Sequence, residues 1–329
     1  MTAKLRARLA MRADLPDLLF DEGLRQRLRD AVEIDLDRRE PLTSLVGVDV
    51  VITGWGCPQI DDGLLADATS LRAIVHACGS VRRHLLPGVW ERGITVSSAA
   101  DANAIPVAEF TLASILLAGK RAPEISRRYA SVRSGIDLLA EYPTIGNLGR
   151  RVGVVGASRI GRRVIEMLRP FDLDVAVCDP FLSETDAQQL GATLLDLDRL
   201  LSWASVVSLH APMLPATRGM IDARALSLMH DGATLINTAR GGLVDHDALI
   251  AELTSGRISA VLDVTDPEPL PRQSPLFDLP NVVLTPHLAG AQGTELRRLG
   301  SAAVGEVERI ASGLPPAAPV TLRDLTHIA

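Results

Sequence analysis

What the 329-residue sequence has little of narrows its function first. Its three cysteines, Cys57, Cys78 and Cys178, stand far apart and are odd in number, which argues against a disulfide framework and against zinc-knuckle spacing, and no metal site is expected. Such usage fits a reducing, cytoplasmic compartment. Basic residues are not in excess: 34 Lys and Arg against 40 Asp and Glu leave a formal net charge of -6, so nothing in the overall balance points to nucleic acid or to an anionic membrane. No run of about 18 apolar residues occurs, so no transmembrane helix is expected. Repeats and low-complexity tracts are lacking as well, although PPAAP at 315–319 reads as a loop before the tail. The opening MTAKLRARLAMR is basic and has no acid before Asp14, yet it lacks the apolar core of a secretory signal. A solvated helix or frayed end is the expectation there.

What remains is a chain that is 47% hydrophobic and long enough for two domains. From Arg151 onward, short β-branched runs alternate with helical patterns: RVGVV (151–155), DVAVCD (174–179), SVVSLH (205–210), ATLINTA (233–239), SAVLDV (259–264) and VVLTPH (282–287). Continuous apolar strands separated by helices predict a parallel sheet covered on both faces. Asp222 and Asp245 are placed to cap helices over ARALSLM and DALIAEL. The first hundred residues show a weaker alternation in VDVVIT (48–53), LRAIVHA (71–77) and GITVSS (93–98), which predicts a smaller α/β unit. Between the two, ANAIPVAEFTLASILLAGKR (102–121) puts Ile105, Ala108, Leu112, Ile115 and Leu116 on one helical face, with Asn103 as its expected cap.

Four clusters carry possible chemistry. In RVGVVGASRIGRRVIEMLRP (151–170) a strand runs into a glycine turn and a helix, which is the context of the dinucleotide fingerprint G-x-G-x-x-G. The three positions are Gly156, Ser158 and Gly161, so the middle glycine is missing. Arg159 and Ile160 open the helix, whose free NH groups and positive dipole end suit a pyrophosphate; Ser158 can donate a hydroxyl and Arg159 can add charge. Asp179 ends the next strand, where a carboxylate reads a ribose 2'-hydroxyl and repels a 2'-phosphate, which favours NAD over NADP. The bland alternative is an ordinary strand-turn-helix unit. In NTARGGLVDHDAL (237–249), Arg240 ends a strand beside two glycines. It can hold a carboxylate bidentately, or it can pair with Asp245 and pin the turn. DVTDPEPLP (263–271) carries Asp263, Asp266 and Glu268, and TPHLAG (285–290) carries His287. A histidine to move a proton, a carboxylate to orient it and an arginine to hold an anion would all lie at carboxyl ends of strands.

Taken together, these motifs and LHAPMLPATRGMI (209–221) resemble the D-isomer-specific 2-hydroxyacid dehydrogenase family from about Leu71 to Gly290. The resemblance implies two Rossmann-like or flavodoxin-like α/β domains with doubly wound parallel sheets and an active site in the interdomain cleft. A substrate domain of 1–103 plus 289–329 and an NAD-binding domain of 104–288 follow from it. It implies catalytic roles for Arg240, Glu268 and His287, and a substrate carboxylate held by Arg240 and by backbone at Cys78, Gly79 and Ser80. It further implies an NAD site drawn from Gly156, Ser158, Arg159, Ile160, Gly161, Asp179, His210, Ala211, Pro212, Thr217, Thr238, Ala239 and Asp263, with Asp263 at the nicotinamide amide. The reaction implied interconverts a small-molecule 2-oxo acid and a D-2-hydroxy acid, and the assembly implied is a homodimer. A dinucleotide-sensing regulatory protein of the same fold is the competing reading, and oxidoreductases of phosphite, formate or a phosphorylated acid are a second. One departure stands out. The family's substrate loop carries a glycine-rich turn followed by an Asp-Asn or similar pair, whereas HACGSVRRHLL (76–86) has Val81 and Arg82 there. Arg82, Arg83 and His84 form either a solvated basic turn or a site for a second anionic group on the substrate. Trp55 is a candidate pocket wall or a buried core residue.

Overall fold

The β-branched runs form strands that pair with one another in parallel among the residues described, 3–326 of a computed structural model. The chain divides into two units, one running up to Ala104 and resuming at Ala291, the other Ile105–Gly290.

The first unit holds β1 (Arg6–Ala10), β2 (Glu33–Ile34), β3 (Val50–Thr53), β4 (Ala73–His76) and β5 (Thr95–Ser98) in the order β2-β1-β3-β4-β5. Alternate residues of β3 and β4 serve opposite faces. Val50, Ile52 and Val75 pack with Leu15, Leu19, Leu28, Leu299 and Val307 on one side, while Val51 and Ile74 pack with Leu45, Leu65, Leu85 and Val89 on the other. Burying each Leu, Ile or Val contributes about 1.5–3 kcal/mol, so both layers of helices are held by the same four-residue strands. The helix Leu296–Ala311 returns the chain to this sheet, and it sits so close to the first helical layer that a Cβ on Gly300 would meet the Leu19 oxygen at 2.0 Å.

The basic opening segment is strand β1, not the expected solvated helix. Leu5, Ala7 and Leu9 alternate with Arg6 and Arg8 at a period of two, and that alternation outweighs the charge because Arg8 finds carbonyl acceptors and Arg6 stays exposed. Arg8 donates to the carbonyls of Pro41 and Ser44 at 3.0 and 3.2 Å, and the Arg6 amide donates to Asp49 Oδ2 at 2.8 Å.

The second unit holds β6 (Arg150–Val155), β7 (Leu173–Cys178), β8 (Thr193–Leu194), β9 (Val206–Leu209), β10 (Thr234–Asn237), β11 (Ser259–Leu262) and β12 (Val282–Leu284), ordered β12-β11-β10-β9-β6-β7-β8. The order reverses between β6 and β9, which creates a crevice at their carboxyl ends. Helices cover both faces of this sheet, and Asp222 and Asp245 do cap theirs, accepting from the amides of Ala225 and Ala248. The long helix Ala100–Gly119 packs Ala108, Ile115 and Ala118 against Val152, Val206, Ile236 and Val261. By length and composition it could cross a membrane, but half of that window is buried in the fold. Asn103 is not its cap: the helix begins before it, because the Asn103 side chain has a tertiary partner, accepting from the Ala291 amide at 3.0 Å.

Two buried imidazoles tie the stability of the first unit to pH. His76 accepts or donates at Nδ1 to Thr53 Oγ1 at 2.9 Å, its ring lies 4.4 Å from that of His84, and His84 Nε2 is buried without a partner among the described residues. Burial, and then the neighbouring His84, push His76 well below the ordinary imidazole range, and burial lowers His84 to about 4. Both groups bind protons more weakly folded than unfolded, so the stability they confer is present above the unfolded value near 6.5 and is lost as pH falls toward 4. His84 alone accounts for about 3 kcal/mol of this loss. Denaturant titrations at pH 7, 5.5 and 4.5 are expected to show a shallower decline for His84→Leu than for the unmodified chain; parallel declines would contradict it.

Candidate active site

The carboxyl ends of β6 and β9 approach so closely that only glycine fits between them. Gly156 has φ +99°, and a Cβ there would lie 2.6 Å from the Ala211 amide nitrogen; a Cβ on Gly161 would lie 2.0 Å from the Gly156 oxygen. The helix Arg159–Leu168 starts at this turn, with Ser158 as its N-cap: Ser158 Oγ accepts from the Gly161 amide at 3.4 Å. Serine in place of the middle glycine is thus a helix cap, and its hydroxyl proton remains available to a ligand. The amides of Ser158 and Ile160 have no acceptor among the described residues, which leaves the first turn of this helix able to receive an anion. Asp179 follows β7 and braces the turn, accepting from the amides of Ala157 at 2.7 Å and Phe181 at 2.9 Å. A carboxylate has four acceptor positions, so Asp179 retains capacity for a ribose hydroxyl. This cradle fits a dinucleotide.

Beneath the turn lies His210, fully buried, with Nε2 2.9 Å from Ser208 Oγ and Nδ1 unpartnered among the described residues. Burial pushes it down to about 3, so it is a neutral imidazole. Ala211 and Pro212 continue this loop, and Thr217 Oγ1 holds it by donating to the Pro212 carbonyl at 2.5 Å and accepting from the Leu214 amide at 2.9 Å. Thr238 is buried and 2.9 Å from Thr111 of the long helix. The hydroxyls of Thr217 and Thr238 therefore have structural partners within the unit.

At the next strand ends, β10, β11 and β12 place Arg240, Asp263 and His287 on one edge. Arg240 follows a turn that sequence reasoning did not single out: buried Asn237 donates from Nδ2 to the Arg240 carbonyl at 2.9 Å and accepts at Oδ1 from the Ala239 amide at 3.1 Å. Arg240 Nη1 itself donates to the Ala239 carbonyl at 2.6 Å. A Cβ on Gly241 would strike the Thr265 carbonyl carbon at 2.0 Å, so the glycines of NTARGG bring the β10 and β11 loops together.

Asp263 is 2% exposed. Its Oδ1 accepts from Thr285 Oγ1 at 2.6 Å and the Leu288 amide at 2.8 Å, its Oδ2 accepts from the Ala289 amide at 2.9 Å, and its carbonyl accepts from the His287 amide at 2.9 Å. These bonds grip the backbone on both sides of His287, which adopts φ 55°, a left-handed conformation that a residue with a Cβ keeps only when its surroundings fix it. His287 Nδ1 is 2.6 Å from Glu268 Oε1. A carboxylate only accepts, so Nδ1 carries the hydrogen and Nε2 is the nitrogen left to exchange a proton with a ligand. Among the described residues no cluster of three or more His, Cys, Asp and Glu could hold a metal.

In the other unit, Cys78, Gly79 and Ser80 follow β4, and no carbonyl among the described residues accepts from their amides. The Cys78 thiol is buried and pushed up to about 12 by that burial, so it is not a nucleophile. The basic turn beyond is not one cationic patch: Arg82 donates to the Leu325 carbonyl, His84 is buried, and only Arg83 is exposed. Trp55 is 38% exposed, which excludes it from the core.

Residues 112–289 match the family model described as D-isomer specific 2-hydroxyacid dehydrogenase, NAD binding domain. The chain belongs to that family, and this segment is its NAD-binding domain. It is 30% identical over 93% of its length to D-3-phosphoglycerate dehydrogenase of Archaeoglobus fulgidus, and 36% identical over 84% of its length to the enzyme of that name from Mycobacterium bovis, covering 58% and 51% of those proteins. The chain thus spans about half the length of the curated relatives it matches. Among solved structures it resembles the TT0316 protein of Thermus thermophilus, with 31% identity, a TM-score of 0.77, and coverage of 96% of this chain and 100% of that one.

The capping role of Ser158 makes a graded prediction. Ser158→Ala is expected to cost about 1 kcal/mol in denaturant unfolding and Ser158→Gly only a few tenths. Equal costs would show that the hydroxyl does not cap.

Proposed function

We propose that the chain is an NAD-dependent oxidoreductase that interconverts a 2-oxo acid and a D-2-hydroxy acid, with His287 as general acid and base. The observation that carries this reading is the 2.6 Å contact of His287 Nδ1 with Glu268 on a loop gripped by Asp263. NADH, when bound, supplies the hydride. In that direction His287 Nε2 donates a proton to the carbonyl oxygen that becomes the hydroxyl, and in the reverse direction it takes that proton back. Glu268 holds the ring so that Nε2 faces the ligand. Arg240 holds the substrate carboxylate with its planar fork, and the amides of Cys78, Gly79 and Ser80 offer donors to a carboxylate oxygen. Asp263, implied by resemblance to touch the nicotinamide amide, acts chiefly by holding the His287 loop. Ser158, Arg159, Ile160 and the bracketing glycines take the pyrophosphate, and Asp179 selects NAD over NADP by repelling a 2'-phosphate.

The relatives' names raise a phosphorylated acid as substrate. With Arg82 held at the Leu325 carbonyl and His84 buried, Arg83 is the one exposed cation of the turn after Ser80, which favours an unphosphorylated acid. A cytoplasmic setting is part of the same reading, supported by free Cys57, Cys78 and Cys178. So is the homodimer, for which light scattering is expected to give twice the chain mass.

NADH oxidation against pyruvate, phenylpyruvate, 2-oxoglutarate and 3-phosphohydroxypyruvate tests the activity. Turnover of at least one unphosphorylated acid in preference to the phosphorylated one is expected; tight NADH binding with no turnover would replace the enzyme by a dinucleotide-sensing protein. His287→Gln and Arg240→Ala should each lower kcat/KM by about 100-fold or more while NADH still binds. Near-normal turnover in either variant would remove that residue from its role.

A further inference from the structure

β5 is an edge strand, and an edge leaves a row of backbone groups to be satisfied. The chain's own tail covers it. The Val320 amide donates to the Val96 carbonyl at 2.8 Å, and the Ser98 amide donates to the Ala318 carbonyl at 3.3 Å. Pro319 lies opposite Ser97 in an antiparallel bridge, where its missing NH leaves no ladder bond broken. Two side chains from outside the run, Glu306 and Trp90, fix it. Glu306, 7% exposed on the helix Leu296–Ala311, accepts from the amides of Ala317 and Ala318 at 3.1 Å. Trp90 Nε1 donates to the Val320 carbonyl at 2.7 Å, and Val320 and Leu325 pack into the cluster that contains Val81, Leu85 and Val89.

The run ends in a short turn, Arg323–Thr326, that Thr321 opens by donating from its amide and hydroxyl to Asp324. Carbonyls at the end of such a turn are its negative pole. Arg82 Nε donates to one of them, Leu325, at 2.8 Å, and Nη2 donates to the same oxygen. Arg82 stands two residues past Ser80, in the turn whose amides at 78–80 have no acceptor among the described residues. A guanidinium anchored from beyond the turn restrains the backbone that presents those amides. Val81, buried just before it, packs against the same tail cluster.

We propose that Arg82 is a positioning residue, and that the tail 317–325 is a strap by which it fixes the turn 78–82 in the conformation that presents three amides to an anion. The consequence for substrate rests on the reading that Cys78, Gly79 and Ser80 hold its carboxylate.

Two variants test this in the full chain otherwise unchanged: Arg82→Met, which keeps the aliphatic stem, and a stop after Leu322, which removes the acceptor but keeps the edge pairing at Val320. Both are expected to speed amide hydrogen exchange at 78–84 about tenfold or more, as loss of a charge-assisted hydrogen bond implies. Both should raise KM for the panel acid of highest kcat/KM by about tenfold, with kcat and NADH affinity within twofold. Adding Arg82→Met to the stop should add nothing to the effect of the stop alone, because the stop already removes the Arg82 acceptor along with the packing of Leu325. Unchanged exchange in both variants, or effects that simply add, would overturn the strap. Faster exchange with unchanged KM would keep the strap and overturn the substrate reading of the 78–80 amides. If no panel acid is turned over, the exchange data alone decide the strap.

Discussion

The carboxylate of Asp263 is the constraint on which the candidate site depends. It is buried, its two oxygens take three hydrogen bonds, and all three donors lie within residues 285–289. A buried carboxylate without donors costs several kcal/mol, so the loop after β12 and the loop after β11 stabilise one another or neither holds. That mutual need is what keeps His287 in a left-handed backbone conformation and aims its ring at Glu268. The orientation of His287 is therefore set by backbone bonds rather than by the packing of its half-exposed ring.

The same economy runs through the rest of the second unit. Asp179 braces the glycine turn and still has acceptor capacity for a ligand. Ser158 caps a helix and keeps a hydroxyl proton. His210, fully buried and neutral, fills the space beneath. Asp179 and Ser158 thus hold the fold while keeping hydrogen-bonding capacity, and close backbone approach requires glycine where the β6 and β9 loops meet and at Gly241 between the β10 and β11 loops.

Much of this was legible in the sequence, and the exceptions have physical causes. Six of the seven strands of the second unit coincide with mainly apolar runs of the sequence, because a strand buried on both faces must be largely apolar. β1 is hidden in the sequence because its arginines mask a two-residue alternation that carbonyl acceptors for Arg8 at Pro41 and Ser44 and the exposure of Arg6 make tolerable. β2 and β8, two residues each, carry no period at all. Asn103 had the right residue type for a cap, but its partner, Ala291, is far along the chain and no local rule could find it. Charge at HACGSVRRHLL was visible, whereas the commitment of Arg82 to the tail and the burial of His84 were not, because both depend on contacts remote in sequence. Asn237 and Thr285 were missed for a different reason: they touch other protein groups, and only their neighbours look like chemistry.

The central claim, that Asp263 acts through the His287 loop, is tested most directly by Asp263→Asn. An amide presents a donor where the buried amides of Leu288 and Ala289 need two acceptors, so the loop should lose its hold. In this variant kcat is expected to fall by about 100-fold while the Kd for NADH, read from tryptophan fluorescence, stays within threefold. A Kd weakened by that factor, with kcat at saturating NADH unchanged, would contradict it.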